Sequence, residues 1–234
     1  MNPYKSFSEL LFTCVDTAQA KVVALMLAGL NKPQPTYLEQ LTNMPGVREV
    51  RVYGQISTSL HNFTVRYFSK ETRLDFSLAY IKEAEINTTK PLHIVFWEPR
   101  IHLGKTVFMG NFRDGLSHMV FASSPDNSYT WINVRIYDDP DYPGCVFDYY
   151  SDHRNILRRV MACKDEQGWD FAQEGSIQPF ENPGYYERRL KKDRLNRQII
   201  TEYMERLGYM IASDGFWETT KPATFLWQER SKMP

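Results

Sequence analysis

Five histidines, a run of aspartates and a cluster of arginines and lysines are the residues here whose types suit them to chemistry. The histidines are His61, His93, His102, His118 and His153. None forms an H-x-H, H-x-x-x-H or H-E-x-x-H pair, the short spacings that mark zinc sites. Hydrogen-bonded or exposed histidines within strands are the favoured reading, and no metal is expected. The alternative is an enzyme, for example a hydrolase, whose site is assembled from distant positions. His93, His102 and His118, with the carboxylates of the Asp138–Asp148 stretch, are its candidates.

Asp138, Asp139 and Asp141 crowd a proline-rich turn that also carries Tyr142, and Asp148 and Asp152 follow. Carboxylates this close can share a proton or bind a divalent cation. The spacing fails the calcium-loop pattern of D-x-D-x-D-G with a later glutamate. Asp and Pro are also the ordinary residues of tight turns. A turn that doubles as an acidic contact patch is therefore expected. Between Glu187 and Arg197 six basic side chains stand with two acidic ones. On a helix they ring most of the surface outside the apolar stripe, which reads as a solvated face. Glu187 and Lys191 form an i,i+4 pair in the favoured orientation. Partner contact through Arg188, Lys191 and Arg194 is the functional use of this segment.

Nucleophile and phosphate-loop signatures are missing: there is no G-x-S-x-G, G-x-x-x-x-G-K-[ST] or G-x-G-x-x-G. Cys14 lies beside an apolar helix start with no base nearby in sequence. Cys14, Cys145 and Cys163 are odd in number and far apart, as three free thiols in a reducing compartment would be. Cys145 and Cys163 are close enough in sequence to become neighbours in space.

The composition sets the frame for these residues. The chain has 234 residues, with 28 basic and 28 acidic groups and 42% apolar residues. That excludes a disordered chain and a globally basic nucleic-acid binder. The longest apolar stretch, Val22 to Leu30, is far below the ~18–20 residues of a membrane span. A soluble, cytoplasmic protein is expected. Aromatic residues reach 14%, as in a β-rich core or a recognition surface.

The elements that position these residues follow from periodicity. A buried helix is predicted over Ala18 to Leu30, stopped by Pro33 and Pro35, and a short one over Thr36 to Leu41. Alternation of period 2 then predicts strands around Val50–Tyr53, Phe63–Phe68 and Leu74–Tyr80. A hairpin link at Ser69–Thr72 joins the last two. Further strands are expected at His93–Trp97, Thr106–Met109, Met119–Ala122, Tyr129–Tyr137 and Cys145–Tyr150. A hairpin follows at Arg158–Cys163 and Trp169–Phe171. No helix-length interval separates these strands, so antiparallel pairing is expected. A long amphipathic helix is predicted from Pro183, capped by Asn182, to Gly208. Thr224–Gln228 reads as a short strand or loop returning aromatics to the core. The sum is a single α+β domain over residues 1–234. Its core is an antiparallel sheet of roughly eight to ten strands, β-rich over 47–180, with an N-terminal buried helix and a C-terminal helical segment over 183–208.

One segment resembles a known group. Gly168-Trp-Asp-Phe171, Gly175, Pro179-Phe-Glu181, Tyr185-Tyr186, Arg188, Asp193-Arg194, Tyr203 and Leu207-Gly208 resemble a pattern in small bacterial domains, some of them similar to immunity proteins that neutralise polymorphic or contact-delivered toxins. The resemblance implies a non-enzymatic bacterial inhibitor whose partner is a protein such as a cognate toxin. It brings no catalytic or binding residues with it. The expected partner-binding residues are therefore those read from the sequence itself: Asp138, Asp139, Asp141, Tyr142, Arg188, Lys191 and Arg194. No cofactor, nucleic-acid partner or membrane contact is expected.

Overall fold

Every strand pairing among the described residues of this computed structural model is antiparallel. The structure describes residues 2–6, 9–19, 21–23, 49–56, 59–67, 93–110, 129–151, 155–221 and 223–229. The strands are β1 (Glu9–Val15), β2 (Glu49–Ile56), β3 (Ser59–Tyr67), β4 (His93–Trp97), β5 (Thr106–Gly110), β6 (Trp131–Tyr137), β7 (Gly144–Ser151), β8 (Asn155–Asp165), β9 (Gly168–Gly175) and β10 (Thr224–Glu229). They lie in the order β2-β3-β10-β4-β5-β1-β6-β7-β8-β9. Strands β4 to β9 overlap the strands expected at His93–Trp97, Thr106–Met109, Tyr129–Tyr137, Cys145–Tyr150, Arg158–Cys163 and Trp169–Phe171.

One placement differs from expectation, and another resolves a strand-or-loop alternative to a strand. The run Leu10–Val15 is a strand in the middle of the sheet, between β5 and β6. It is buried on both faces, so its sequence carries no alternation to read. Thr224–Glu229 is also an internal strand, inserted between β3 and β4. Gln19 and Lys21–Val23 are helical, at the start of the predicted N-terminal helix. The remainder of that helix, the Thr36–Leu41 helix, the strands at Leu74–Tyr80 and Met119–Ala122 and the link at 69–72 lie outside the described residues.

The pleat sorts side chains onto two faces. Leu10, Phe12, Cys14, Trp97, Val134, Phe147, Val160 and Ala162 share one face, and the segment from Phe180 to Ala223 packs on it. Aromatic rings form much of that contact. Phe147 meets Phe180 and Tyr203 at 5.7 and 5.9 Å between centroids, and Phe12 meets Phe216 and Trp217 at 5.8 and 5.5 Å. These are tilted or edge-on geometries that aromatic pairs favour.

The covering segment is not one long helix. Helix α1 spans Pro3–Ser6, and α2 spans only Arg197–Arg206. Before α2 the chain makes two short 3-10 turns, Pro183–Tyr185 and Lys191–Asp193. Asn196 causes the break. Its backbone is extended, and its side chain accepts from Ile199 N at 3.0 Å, so it caps a helix that starts after it. Asn182 does cap as expected, but it caps only the first 3-10 turn, accepting from Gly184 N. Leu190, which helical spacing would set on the apolar stripe with Tyr186, is 51% exposed. The end of α2 is as read. Gly208 takes φ 83°, Gly208 N donates to Glu205 O, and Tyr209 N donates to Met204 O. This doubly bonded stop needs a left-handed residue.

Candidate functional site at one end of the sheet

Strands β6, β7, β8 and β9 bring two turns, β6–β7 and β8–β9, to one end of the sheet, where the basic segment meets Asp170. The acidic turn joins Tyr137 to Gly144, and Gly144 pairs with Cys163 near the end of β8. Cys163 in turn pairs with Asp170 of β9. At ~4.8 Å per strand, Gly144 and Asp170 are about 10 Å apart. Lys164 N donates to Pro143 O at 2.9 Å and ties the acidic turn to β8. Gly144 has no room for a side chain there, since a Cβ would lie 2.8 Å from Cys163 Sγ.

Each predicted residue has a distinct task. Asp139 shapes the turn, its carboxylate accepting from Asp141 N at 2.8 Å and Tyr142 N at 3.0 Å. Asp138 binds Arg197 Nη2 at 2.5 Å, so the acidic turn meets the first residue of α2. Asp141 and Tyr142 face solvent, Tyr142 being 49% exposed. In the basic segment, Arg188 lies over the Tyr185 ring and donates to Asp193 O at 2.9 Å. Arg194 donates to Arg188 O at 2.8 Å and lies over Phe171. These two arginines therefore hold the loop itself in shape. Lys191 reaches Asp170 at 3.3 Å, and the expected pair with Glu187 is not formed because the segment is not helical there. Arg189, Leu190 and Lys192 point to solvent beside it.

The residues of the alternative enzymatic constellation that the structure describes do not converge: His93 opens β4, three strands from β6 and its acidic turn. The loop between β4 and β5 carries His102 at the opposite end of the sheet, because β5 and β6 both flank Val15 of β1 at Thr106 and Trp131. The length of β6 separates it from the acidic turn, roughly 20 Å. His102 is engaged there, its Nε2 accepting from Met210 N at 3.0 Å between the Tyr209 and Phe216 rings. Burial first, and the Lys105 charge second, lower its pKa. His118 and His153 lie outside the described residues, as does Asp152. Among the described residues no group of three or more His, Cys, Asp or Glu side chains is placed to hold a metal ion.

Asp148 belongs to a different cluster. It is fully buried between Arg159 Nε at 2.7 Å and Arg135 Nη2 at 2.8 Å, with the Tyr150 hydroxyl donating at 3.3 Å. Burial, then the charge of Asp148, pushes the Tyr150 hydroxyl up to about 12. On the covered face lies a second buried network that sequence reasoning missed. Arg158, 1% exposed, grips Glu181 through Nε and Nη2 at 2.9–3.0 Å. It also donates to Gly175 O at 2.9 Å and Gln173 Oε1 at 2.8 Å. Glu181 accepts from Tyr186, whose hydroxyl accepts from Tyr203 at 2.9 Å, and from Gln178 N at 2.8 Å. The signal was present in the sequence. Arg158 and Arg159 sit inside an apolar strand, where a charge is rarely buried without a partner.

Cys145 and Cys163 do become neighbours, with Sγ of Cys163 3.9 Å from Cys145 O. They are offset by one residue on paired strands, so their side chains leave opposite faces of the sheet. All three cysteines are free. Among the described residues no helix is long and apolar enough to cross a membrane.

No protein-family model matches the chain, and no curated protein or solved structure matches it significantly.

Proposed function

We propose that the chain is a non-enzymatic, cytoplasmic binding protein of the immunity type, which neutralises a partner protein by direct contact. Its contact surface is the sheet end that carries the acidic turn and the basic segment. One observation carries this reading. Tyr142 and Leu190, each about half exposed, stand among outward charges of both signs on loops that their own residues hold rigid. Aromatic and aliphatic anchors inside a charged rim are the anatomy of a protein interface. Asp139, Arg188 and Arg194 fix the loops, while Asp141, Tyr142, Leu190 and Lys191 make the contact. The most buried charges, Asp148, Arg158 and Glu181, are satisfied by one another and by neighbouring groups, as scaffold residues are.

The test is affinity capture from lysate of the source cells by the full chain and by a Tyr142→Ser/Leu190→Ser variant. A protein retained by the natural chain and lost with the variant, at unchanged melting temperature, supports the reading. Capture by both chains equally, or by neither, overturns it.

A further inference from the structure

Strand β9 closes the sheet, pairing with β8 on one side and with no strand among the described residues on the other. Its eight residues run without a register shift, and it contains no proline. Residues Ala172 to Gly175 are exposed. Such an edge leaves alternate residues with outward N–H and C=O groups, a template for another strand, short of its last carbonyls, which Arg158 engages.

The two sides of that edge differ in charge. Phe171 lies on the covered face, against Tyr186 and under Arg194. By the pleat, Asp170 and Glu174 lie on the other face, and both are exposed. Lys191 therefore reaches around the strand to meet Asp170, which sets the basic segment beside the start of the open edge. Arg189 and Lys192, at its centre, are exposed and make no ion pair among the described residues. One side of the edge is thus basic and the other acidic.

We infer that β9 receives an extended segment of the partner as an added strand, and that this segment alternates acidic and basic side chains. Its acidic residues face Arg189 and Lys192, and its basic residues face Asp170 and Glu174. Main-chain bonds supply the affinity and the alternate side chains supply the choice of partner. A partner carboxylate takes Lys191 from Asp170, and a partner lysine replaces it there. A second copy of this chain is a poor occupant. Paired about Ala172, it sets Asp170 opposite Glu174, like charge against like. The inference rests on the binding-protein reading above and specifies the partner's chemistry.

The experiment uses the full chain and two labelled octapeptides of one composition, one alternating glutamate and lysine and one with the same residues in two blocks. Anisotropy is expected to show at least tenfold tighter binding of the alternating peptide, with slowed amide exchange over residues 171–175. Arg189→Glu/Lys192→Glu is expected to lose at least tenfold of that affinity at unchanged melting temperature. Equal affinity for the two peptides overturns the inference. So does slowed exchange in β9 that appears with protein concentration alone, which assigns the edge to a second copy. If capture through Tyr142 and Leu190 succeeds while the peptide fails, only the strand addition falls. If both fail, the binding-protein reading falls with it.

Discussion

Replacing Glu181 by leucine strands the Arg158 guanidinium inside the protein. In the natural chain the carboxylate receives three of the guanidinium's contacts at 2.9–3.0 Å, as well as Tyr186 and Gln178 N. Gly175 O and Gln173 remain to Arg158 after the change, but neither carries a charge. Removing one partner of a buried ion pair costs about 3–5 kcal/mol, because the survivor stays charged and out of water. For a domain of this size each kcal/mol lowers Tm by about 2–4 °C. The expected fall is therefore roughly 6–20 °C. A thermal melt measures that fall, and urea unfolding followed by tryptophan fluorescence measures the free-energy loss, provided both chains unfold in one transition. The double variant Arg158→Met/Glu181→Leu removes the stranded charge. It is expected to be more stable than Glu181→Leu alone, which a purely volumetric account does not predict. A loss below about 1 kcal/mol for the single change, or additivity within ~0.5 kcal/mol across the cycle, refutes the assignment of this pair as the pin between β8 and the covering segment.

Three further outcomes are expected. The folded pKa of His102 lies below 6.5, so below about pH 6.5 the unfolded chain binds a proton that the folded chain refuses. Stability is then full above pH 6.5 and declines as pH falls toward the folded value, and His102→Gln is expected to flatten that slope in denaturant titrations. Burial pushes the Cys145 thiol up to about 12 and the fully buried Cys14 thiol upward as well. At pH 8 a thiol reagent is expected to leave both unreacted until guanidinium is added, when all three cysteines titrate; fast native labelling of either contradicts the burial. Asn196→Ala removes the cap on Ile199 N and is expected to cost about 1 kcal/mol in the same urea assay, whereas Asn196→Gly costs a few tenths.

Much of the sheet was legible in the sequence because its strand runs are bounded by turns that carry Asp, Pro and Gly. The acidic turn was legible for the same reason, and Asp139 forms it as that composition implies. The basic segment was not. Tyr186 and Leu190 keep helical spacing, but the Tyr186 ring is committed to Phe171 and its hydroxyl to Glu181, while Leu190 points outward. Spacing cannot distinguish a helix stripe from residues pinned one by one. Asp148 read as a fourth member of the acidic group, yet the arginines that neutralise it come from β6 and β8. Strand pairing decides that, and pairing is non-local.

The position of β10 has a consequence in time. It joins the β2–β3 hairpin to β4, and its first residue, Thr224, follows the end of β4 at Trp97 by 127 positions. At about 5–20 residues per second, a ribosome needs roughly 6–25 s to cover that distance. For that interval β3 and β4 are already made, and each holds one ladder of backbone groups open toward a gap one strand wide. Open ladders of this kind recruit other chains. The window between synthesis of β4 and arrival of β10 is therefore when a nascent chain is most exposed to mispairing, and the strand that ends the danger is the last one described.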